Sequence, residues 1–277
     1  MRKAFAYPYI LWISMFIIAP LVLVLYYALT ATVDGQVVFT FAQFSRFFSS
    51  SLYIGVAVHS VRMGVYTTII CFIIGYPLAY ILASKGFVQK SFLIFLFIVP
   101  MWMNFLIRTY AWVTILERNG VLNAILRFLR LPTIDILFTD SAVLLGMVYN
   151  FLPFMVLPIY TSLTRMDTRI IEAAQDLGAN PRNIFARIVF PLSVPGIVSG
   201  ITMVFMPAVA TFIIPNLLGG GQYFLIGNLI EQQFLRGGNR HFGSAVTIIL
   251  VLMMFISMAI LSRMDKSHDE KEAGAPI

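Results

Sequence analysis

Charge and cysteine are what this sequence has least of. Only 11% of its 277 residues are charged, less than half of the about 25% found in ordinary globular domains, whereas 60% are hydrophobic. These proportions exclude a soluble globular domain. The one cysteine, Cys71, cannot form a disulfide within the chain and rules out a metal site built from several cysteines.

Acidic residues and nucleotide-binding motifs are also lacking. The 12 Asp and Glu residues all fall in the connections or in the charged C-terminal tail, which argues against an ion-driven carrier that relies on a membrane-buried acid. No G-x-x-x-x-G-K-[ST] phosphate loop occurs, so nothing predicts nucleotide binding. His59 and His241 have no acidic partner close to them in the sequence. We therefore predict that neither histidine belongs to a metal site, and we predict no catalytic residue.

Long apolar segments are what the sequence does contain. A helix needs about 20 apolar residues to cross roughly 30 Å of hydrocarbon. We predict six such spans, at about residues 8–30, 61–83, 91–113, 141–163, 193–216 and 242–262. The fold class is therefore an all-α polytopic membrane protein with residues 1–277 in one domain. Pro207 and Pro215 predict a kink or break in the fifth span.

The distribution of basic residues predicts the orientation. With both termini in the cytoplasm, eleven Lys and Arg residues lie inside and six outside, as the positive-inside rule requires. The first apolar run exceeds a signal-peptide core and lacks a nearby cleavage site, which predicts a retained span. The charged residues 263–277 are predicted to form a mobile cytoplasmic tail.

Two further features belong to the outer side of the predicted bundle. Asn123, Arg127 and Arg130 recur at i, i+4 and i+7, which predicts a helix lying on the membrane surface. Arg108 falls near the outer end of the third span. We expect it to anchor at the interface or to pair with a carbonyl rather than to contact a cationic substrate.

Residues 165–191 form a polar segment between the fourth and fifth spans. Asp167 or Thr168 predicts a helix start, and Gly178 predicts its end, because glycine adopts the left-handed conformation without strain. Asn180 followed by Pro181 predicts the start of a second helix. Pro191 and Pro195 predict an elbow into the fifth span. The expected result is an L of two short helices below the membrane.

The residues of this segment resemble the "EAA" signature of the membrane subunits of bacterial ABC importers. The matching features are Glu172-Ala173-Ala174, a glycine six residues later, and a final Ile and Pro, although Phe190 departs from the common ending. The resemblance implies a coupling helix that sits in a groove of a cytoplasmic ATPase. The residues implied to couple are Glu172, Ala173, Ala174, Asp176, Gly178, Ala179, Ile188 and Pro191.

The resemblance covers nearly the whole chain. The stretches "YPLAYILA", "VPMWMNFLIRTYAW", "VYNFLPFMVLPIY" and "FIIPNLLGGGQYFLIGNLIEQQFL" are similar to the permeases of spermidine/putrescine importers. This implies a type I (MetI-like) ABC importer permease in the bacterial inner membrane. It also implies a second homologous permease, an ATPase dimer that uses ATP and Mg, and an extracytoplasmic polyamine-binding protein. The chain itself would bind no cofactor and no nucleic acid, and would be no enzyme.

Aromatic and amide side chains in the spans are the candidates for the substrate pathway. Aromatic faces attract ammonium groups, at about 0.5–2 kcal/mol per contact, but for any single one of these residues helix packing is the favoured explanation. The candidates are Trp102, Asn104, Tyr110, Tyr149, Asn150 and Phe212. Polar residues of the last outer loop could meet the external binding protein; these are Asn216, Gln222, Glu231, Gln232 and Gln233.

Two alternatives remain at this point. The same architecture could move another solute, such as an organic anion, a metal chelate or thiamine. A chain of this kind could also be a stand-alone channel or a membrane scaffold that works without an ATPase.

Overall fold

The computed structural model describes residues 7–33, 36–84, 95, 97 and 99–273, and this part is mostly helical. Within it, five helices are long and apolar enough to cross a bilayer, namely Pro8–Ala28, Ser51–Ala83, Asp140–Arg165, Pro181–Ala210 and Arg240–Leu261. The prediction of an all-α polytopic membrane protein is confirmed. The second of these helices begins ten residues before the predicted span, at Ser51.

The third predicted span lies partly outside the described residues. Within the described part it is not one continuous helix, because the chain breaks at Met103–Asn104 and a new helix begins at Phe105. The break has a local cause: the Asn104 side chain accepts a hydrogen bond from the Leu106 backbone N–H at 2.8 Å, as an N-cap does. The prediction of an uninterrupted span over 91–113 is corrected to this extent.

The elements of the described chain are numbered in order. They are α1 (Pro8–Ala28), β1 (Thr30–Val33), β2 (Gln36–Phe39), α2 (Ala42–Ser49), α3 (Ser51–Ala83), α4 (Phe105–Leu116), α5 (Val121–Phe128), α6 (Asp140–Arg165), α7 (Thr168–Asp176), α8 (Pro181–Ala210), α9 (Ile213–Leu218), α10 (Ile226–Leu235) and α11 (Arg240–Ala273). The two strands form an antiparallel hairpin in which Thr30 pairs with Phe39 and Val33 with Gln36.

The core of the bundle lies where α3, α6 and α8 pack against one another. Met147, Met155 and Val204 are fully buried there. The backbones approach closely at Gly200, where an added Cβ would lie 2.8 Å from Met155 Sδ and 3.1 Å from its carbonyl oxygen. Small residues at such contacts allow van der Waals packing between helices where no hydrophobic effect can drive association.

A π-turn precedes a proline in two of the long helices. Ser14–Ile18 comes just before Pro20, and Phe185–Val189 comes just before Pro191. Proline lacks an N–H and its ring crowds the preceding turn, so a wider turn accommodates it without breaking the helix. The prolines of the predicted elbow, Pro191 and Pro195, do not interrupt the helix: α8 is continuous from Pro181 to Ala210.

The predicted break in the fifth span lies between the two prolines that suggested it. The helix α8 ends at Ala210, Thr211 is extended, and α9 begins at Ile213. The carbonyl of Phe212 accepts a hydrogen bond from Asn228 Nδ2 at 2.9 Å. The break is thus held by α10 on the outer side.

The N-terminal helix is attached to the last helix rather than to the core. The helix α1 packs along α11, and His241 at the start of α11 reaches the hairpin that follows α1. Its Nδ1 lies 3.2 Å from Thr30 Oγ1, its Nε2 lies 3.3 Å from Thr32 Oγ1, and its ring meets Tyr27 edge-on at 5.3 Å. His241 thus joins the start of α11 to the end of α1 and to β1.

One more expectation from the sequence needs correction. His59 is not isolated from acids, because the fold brings its Nε2 to 3.2 Å from Asp140 Oδ1, at the start of α6. These residues are 81 positions apart, so no local pattern reveals the contact.

The first residues of the predicted mobile tail continue α11 as helix as far as Ala273. The mobility of this tail stays a prediction.

Candidate functional site

The helix α7 begins and ends at the residues that the sequence indicated. Asp167 Oδ1 accepts a hydrogen bond from the Arg169 N–H at 2.9 Å, which satisfies one of the free donors of the first turn. At the other end, Gly178 has φ +79°. Its N–H donates to the Gln175 carbonyl at 2.9 Å, and the Ala179 N–H donates to the Ala174 carbonyl at 3.0 Å. These two bonds form a Schellman motif.

The second arm of the segment is the beginning of α8 itself. Asn180 Oδ1 accepts from the Asn183 N–H at 2.8 Å, and Pro181 occupies the first turn, where its missing N–H costs nothing. Ile184 and Val189 are buried against the bundle. Because α8 then continues to Ala210 without a break, the segment is joined rigidly to a membrane-spanning helix.

The predicted coupling residues differ in their exposure. Glu172, Ala173, Asp176 and Gly178 are exposed, whereas the remaining four are half-buried and face the bundle; these are Ala174, Ala179, Ile188 and Pro191. The most exposed apolar side chain of the segment is Leu177, at 88%. Leu177 was not among the predicted site residues, although its place on the apolar side of α7 could have indicated it.

An aromatic cluster connects the start of α8 to α3. The ring of Phe185 contacts Tyr76 at 5.9 Å, Tyr80 at 5.4 Å and Phe190 at 6.3 Å between centroids. The Tyr76 hydroxyl also lies 3.1 Å from Ser193 Oγ. These residues come from separate parts of the sequence, so the prediction missed the cluster. Through this cluster the N-terminal part of α8 packs against α3.

A cavity of about 890 Å3 lies above the segment, between α6 and α8. Its walls include Pro158, Thr161 and Ser199, and its lower edge includes Asp167 and Ile170, next to α7. The cavity therefore adjoins both a pair of membrane-spanning helices and the polar segment. Most of its lining is apolar, with Arg165 and Asp167 as the charged residues, and these residues come from separate parts of the chain, so no local pattern predicted the cavity.

None of the six predicted pathway residues lines this cavity. Trp102 is 78% exposed and Tyr110 is 56% exposed, whereas Asn150 is buried. Asn104 is the helix cap already described, and Tyr149 packs edge-on against Trp112 at 5.2 Å. The sixth residue, Phe212, lies at the break between α8 and α9.

Arg108 is buried and donates from Nη1 to the Pro100 carbonyl at 2.9 Å. The expectation of a carbonyl partner is confirmed, while that of a snorkelling anchor is not. The guanidinium restrains the chain across the break at Met103–Asn104.

A polar network closes the outer end of the fifth span. Asn228 Nδ2 donates to Asn216 Oδ1 at 2.7 Å, and Asn216 Nδ2 donates to Glu231 Oε2 at 2.6 Å. Arg236 Nη2 lies 3.5 Å from the other Glu231 oxygen. Asn216 and Glu231, which we expected to meet a binding protein, are thus at least partly engaged in holding α9 to α10.

A bundle of long apolar helices with a rigid polar segment built into the base of one of them defines a class: a membrane-embedded permease subunit. The chain belongs to the family described as "binding-protein-dependent transport system inner membrane component", whose model matches residues 75–271. It is accordingly a multi-pass inner-membrane transport protein and not an enzyme.

Individual proteins extend this result to nearly the whole chain. The spermidine/putrescine transport system permease protein PotB of Escherichia coli (strain K12) is 37% identical over 94% of this chain and 96% of its own. PotB of Haemophilus influenzae is 38% identical over 94% and 92%. A crystal structure of a bacterial ABC transporter that imports alginate superimposes with a TM-score of 0.82, at 18% identity, over 96% of this chain and 94% of that chain. The fold is that of an ABC importer permease.

Proposed function

We propose that this chain is the permease subunit of an ATP-driven importer of polyamines, with spermidine and putrescine as the substrate class. The observation that carries the substrate class is the similarity to PotB permeases over 94% of the chain. The alginate transporter shares the fold at 18% identity, and that level of identity supports no substrate.

In this proposal the segment Asp167–Pro191 receives the movement of a cytoplasmic ATPase and passes it to α8. The support is mechanical. The helix α7 is closed at both ends by hydrogen bonds, and it leads through Gly178–Asn180 into a helix of 30 residues. Leu177 and Ile170 present exposed apolar side chains that a groove in a partner could bury.

The remaining subunits of the transporter would be other chains. A second homologous permease would complete the pathway, an ATPase dimer would bind ATP and Mg, and an extracytoplasmic protein would deliver the polyamine. This chain would bind no cofactor. The cavity between α6 and α8 is the part of the pathway that it would contribute. The hydroxyl groups of Thr161 and Ser199 would bind an ammonium group weakly enough to release it, while Arg165 and Asp167 supply one charge of each sign in the lining.

The test uses the complex with its ATPase and binding protein, reconstituted in proteoliposomes, and measures uptake of labelled spermidine and putrescine together with ATPase stimulation. We expect uptake of both polyamines by the wild type. In Gly178→Val, the φ of +79° would strain a β-branched residue by about 1–2 kcal/mol, so uptake and stimulated hydrolysis should fall roughly tenfold.

Two matched variants isolate the cause. Gly237→Val carries the same strain, because Gly237 has φ +75° and open space around its Cβ, but it lies in the connection between α10 and α11 and should keep wild-type rates. Gly178→Asn should recover most of the activity, since asparagine tolerates the left-handed region. Wild-type rates in Gly178→Val would refute the coupling role, and failure to take up either polyamine would refute the substrate class.

A further inference from the structure

The outer helix α5 has an apolar face that nothing in the described part of the chain covers. Val121, Ile125 and Phe128 follow one another at i, i+4 and i+7, and they are 56%, 52% and 87% exposed. The opposite face is tied to the segments that flank α5, where buried Asn123 donates to the Ile134 carbonyl at 2.9 Å and accepts from the Ile134 N–H at 2.8 Å. The neighbouring Leu122 packs against the core of the bundle. The exposed face is therefore held in a fixed orientation.

Three arginines lie in or next to α5. Arg118 precedes α5, Arg127 lies in its last turn and Arg130 follows it. The Arg127 guanidinium lies 3.5 Å from Asn119 Oδ1, which brings it to the turn that contains Arg118. The same loop contains Glu117 and Asp135, but among the described residues neither lies within 4.0 Å of an arginine in an ion pair.

Arg130 occupies a backbone position that normally selects glycine. Its φ is +57°. Its N–H donates to the Arg127 carbonyl at 3.0 Å, and the Leu131 N–H donates to the Leu126 carbonyl at 2.8 Å, which is the Schellman pattern. The equivalent position after α7 is Gly178. A charged residue in this strained conformation is a reason to look for a role of its side chain.

We propose that α5 and its three arginines bind anionic phospholipid headgroups in the outer leaflet of the bilayer. The helix connects the outer ends of α4 and α6, which places it at the boundary of the membrane. Guanidinium groups match phosphate oxygens with paired hydrogen bonds. The face of Val121, Ile125 and Phe128 enters the boundary of the acyl chains, as in other interfacial amphipathic helices. This binding is independent of which solute is transported.

The test reconstitutes the complex in nanodiscs of phosphatidylcholine with or without phosphatidylglycerol and counts retained phosphatidylglycerol by native mass spectrometry. The double variant R127Q/R130Q should retain phosphatidylglycerol with about 30-fold lower affinity, at roughly fivefold per arginine. The control R236Q/R240Q also removes two outer cations, and it should retain the lipid as the wild type does. Equal thermal unfolding midpoints would exclude a folding defect.

Three results would overturn the proposal. Unchanged retention in R127Q/R130Q would show that these arginines do not bind the lipid. An equal loss in both double variants would indicate general electrostatic attraction rather than a site. A loss of binding-protein-stimulated ATPase activity by R127Q/R130Q in phosphatidylcholine alone would identify the surface as a protein contact.

Discussion

At the scale of single residues, the distance between α6 and α8 depends on positions that have no side chain. At Gly196, an added Cβ would lie 2.5 Å from Ser162 Cβ, 2.8 Å from the Pro158 carbonyl oxygen and 3.2 Å from Ile159 Cα. Two of these atoms belong to backbone, which cannot move aside as a flexible side chain does. The contact therefore requires glycine.

Gly196→Ala should lower the thermal unfolding midpoint of the purified subunit. Alanine has the better helix propensity, by about 1 kcal/mol, but overpacking costs about 1–3 kcal/mol, and the backbone contacts make the steric cost the larger. Scanning fluorimetry in mild detergent measures the effect. Gly55→Ala is the control, because no atom lies within 4 Å of that Cβ, and it should not lower the midpoint. A midpoint in Gly196→Ala equal to that of Gly55→Ala would disprove the close contact.

At the scale of elements, the connection between the polar segment and the membrane is one helix and not a hinge. The π-turn Phe185–Val189 accommodates Pro191, so α8 is one continuous helix from Pro181 to Ala210. The aromatic cluster around Phe185 then fixes the turn laterally against α3. A segment restrained in this way moves as a rigid body with the span that follows it.

Phe185→Ala should uncouple the segment while leaving the membrane fold intact. The loss of three ring contacts removes packing that is worth about 3–5 kcal/mol when the ring is fully buried, and less here because Phe185 is half-buried. We expect basal ATPase activity to persist and polyamine uptake to fall. The matched control is Phe255→Ala, in α11, where the side chain is 65% exposed. Equal uptake by the two variants would contradict a mechanical role for the cluster.

At the scale of the molecule, the structure places the polar segment and the glycine-rich connection after α9 at opposite ends of the long helices. The helix α6 begins at Asp140, beside α3 residue His59, and ends at Arg165, next to α7. A cytoplasmic position for α7 therefore requires Gln222, in the connection between α9 and α10, to lie outside. This agrees with the distribution of basic residues.

Labelling with a membrane-impermeant maleimide tests this topology in a Cys71→Ala background. Leu177→Cys, at an 88% exposed position, should react only after the cells are lysed, and it should be protected when the ATPase is co-expressed. Gln222→Cys should react in intact spheroplasts. The reverse labelling pattern would show the opposite membrane topology, with α7 outside, and would contradict coupling to a cytoplasmic ATPase.

The sequence determined the ends of α7 by itself, together with the class of the fold. Asp167, Gly178, Asn180 and Pro181 act on backbone groups within five residues of themselves, so their effect can be derived without knowing the neighbours. The membrane class follows in the same way, because apolar length and the sum of charges are properties of the chain and not of its packing.

The tertiary structure decided what depends on distant residues. The contact between His59 Nε2 and Asp140 Oδ1 joins residues 81 positions apart, and the hydrogen bond between Tyr76 and Ser193 joins residues 117 positions apart. The helix α8 is continuous through Pro191 by way of a π-turn whose Phe185 packs against Tyr80 of α3. Such contacts form only when separate helices meet, so their energies are not encoded in any short stretch of sequence. For that reason the local shape of the segment Asp167–Pro191 could be predicted, but the contacts that attach it to the bundle could not.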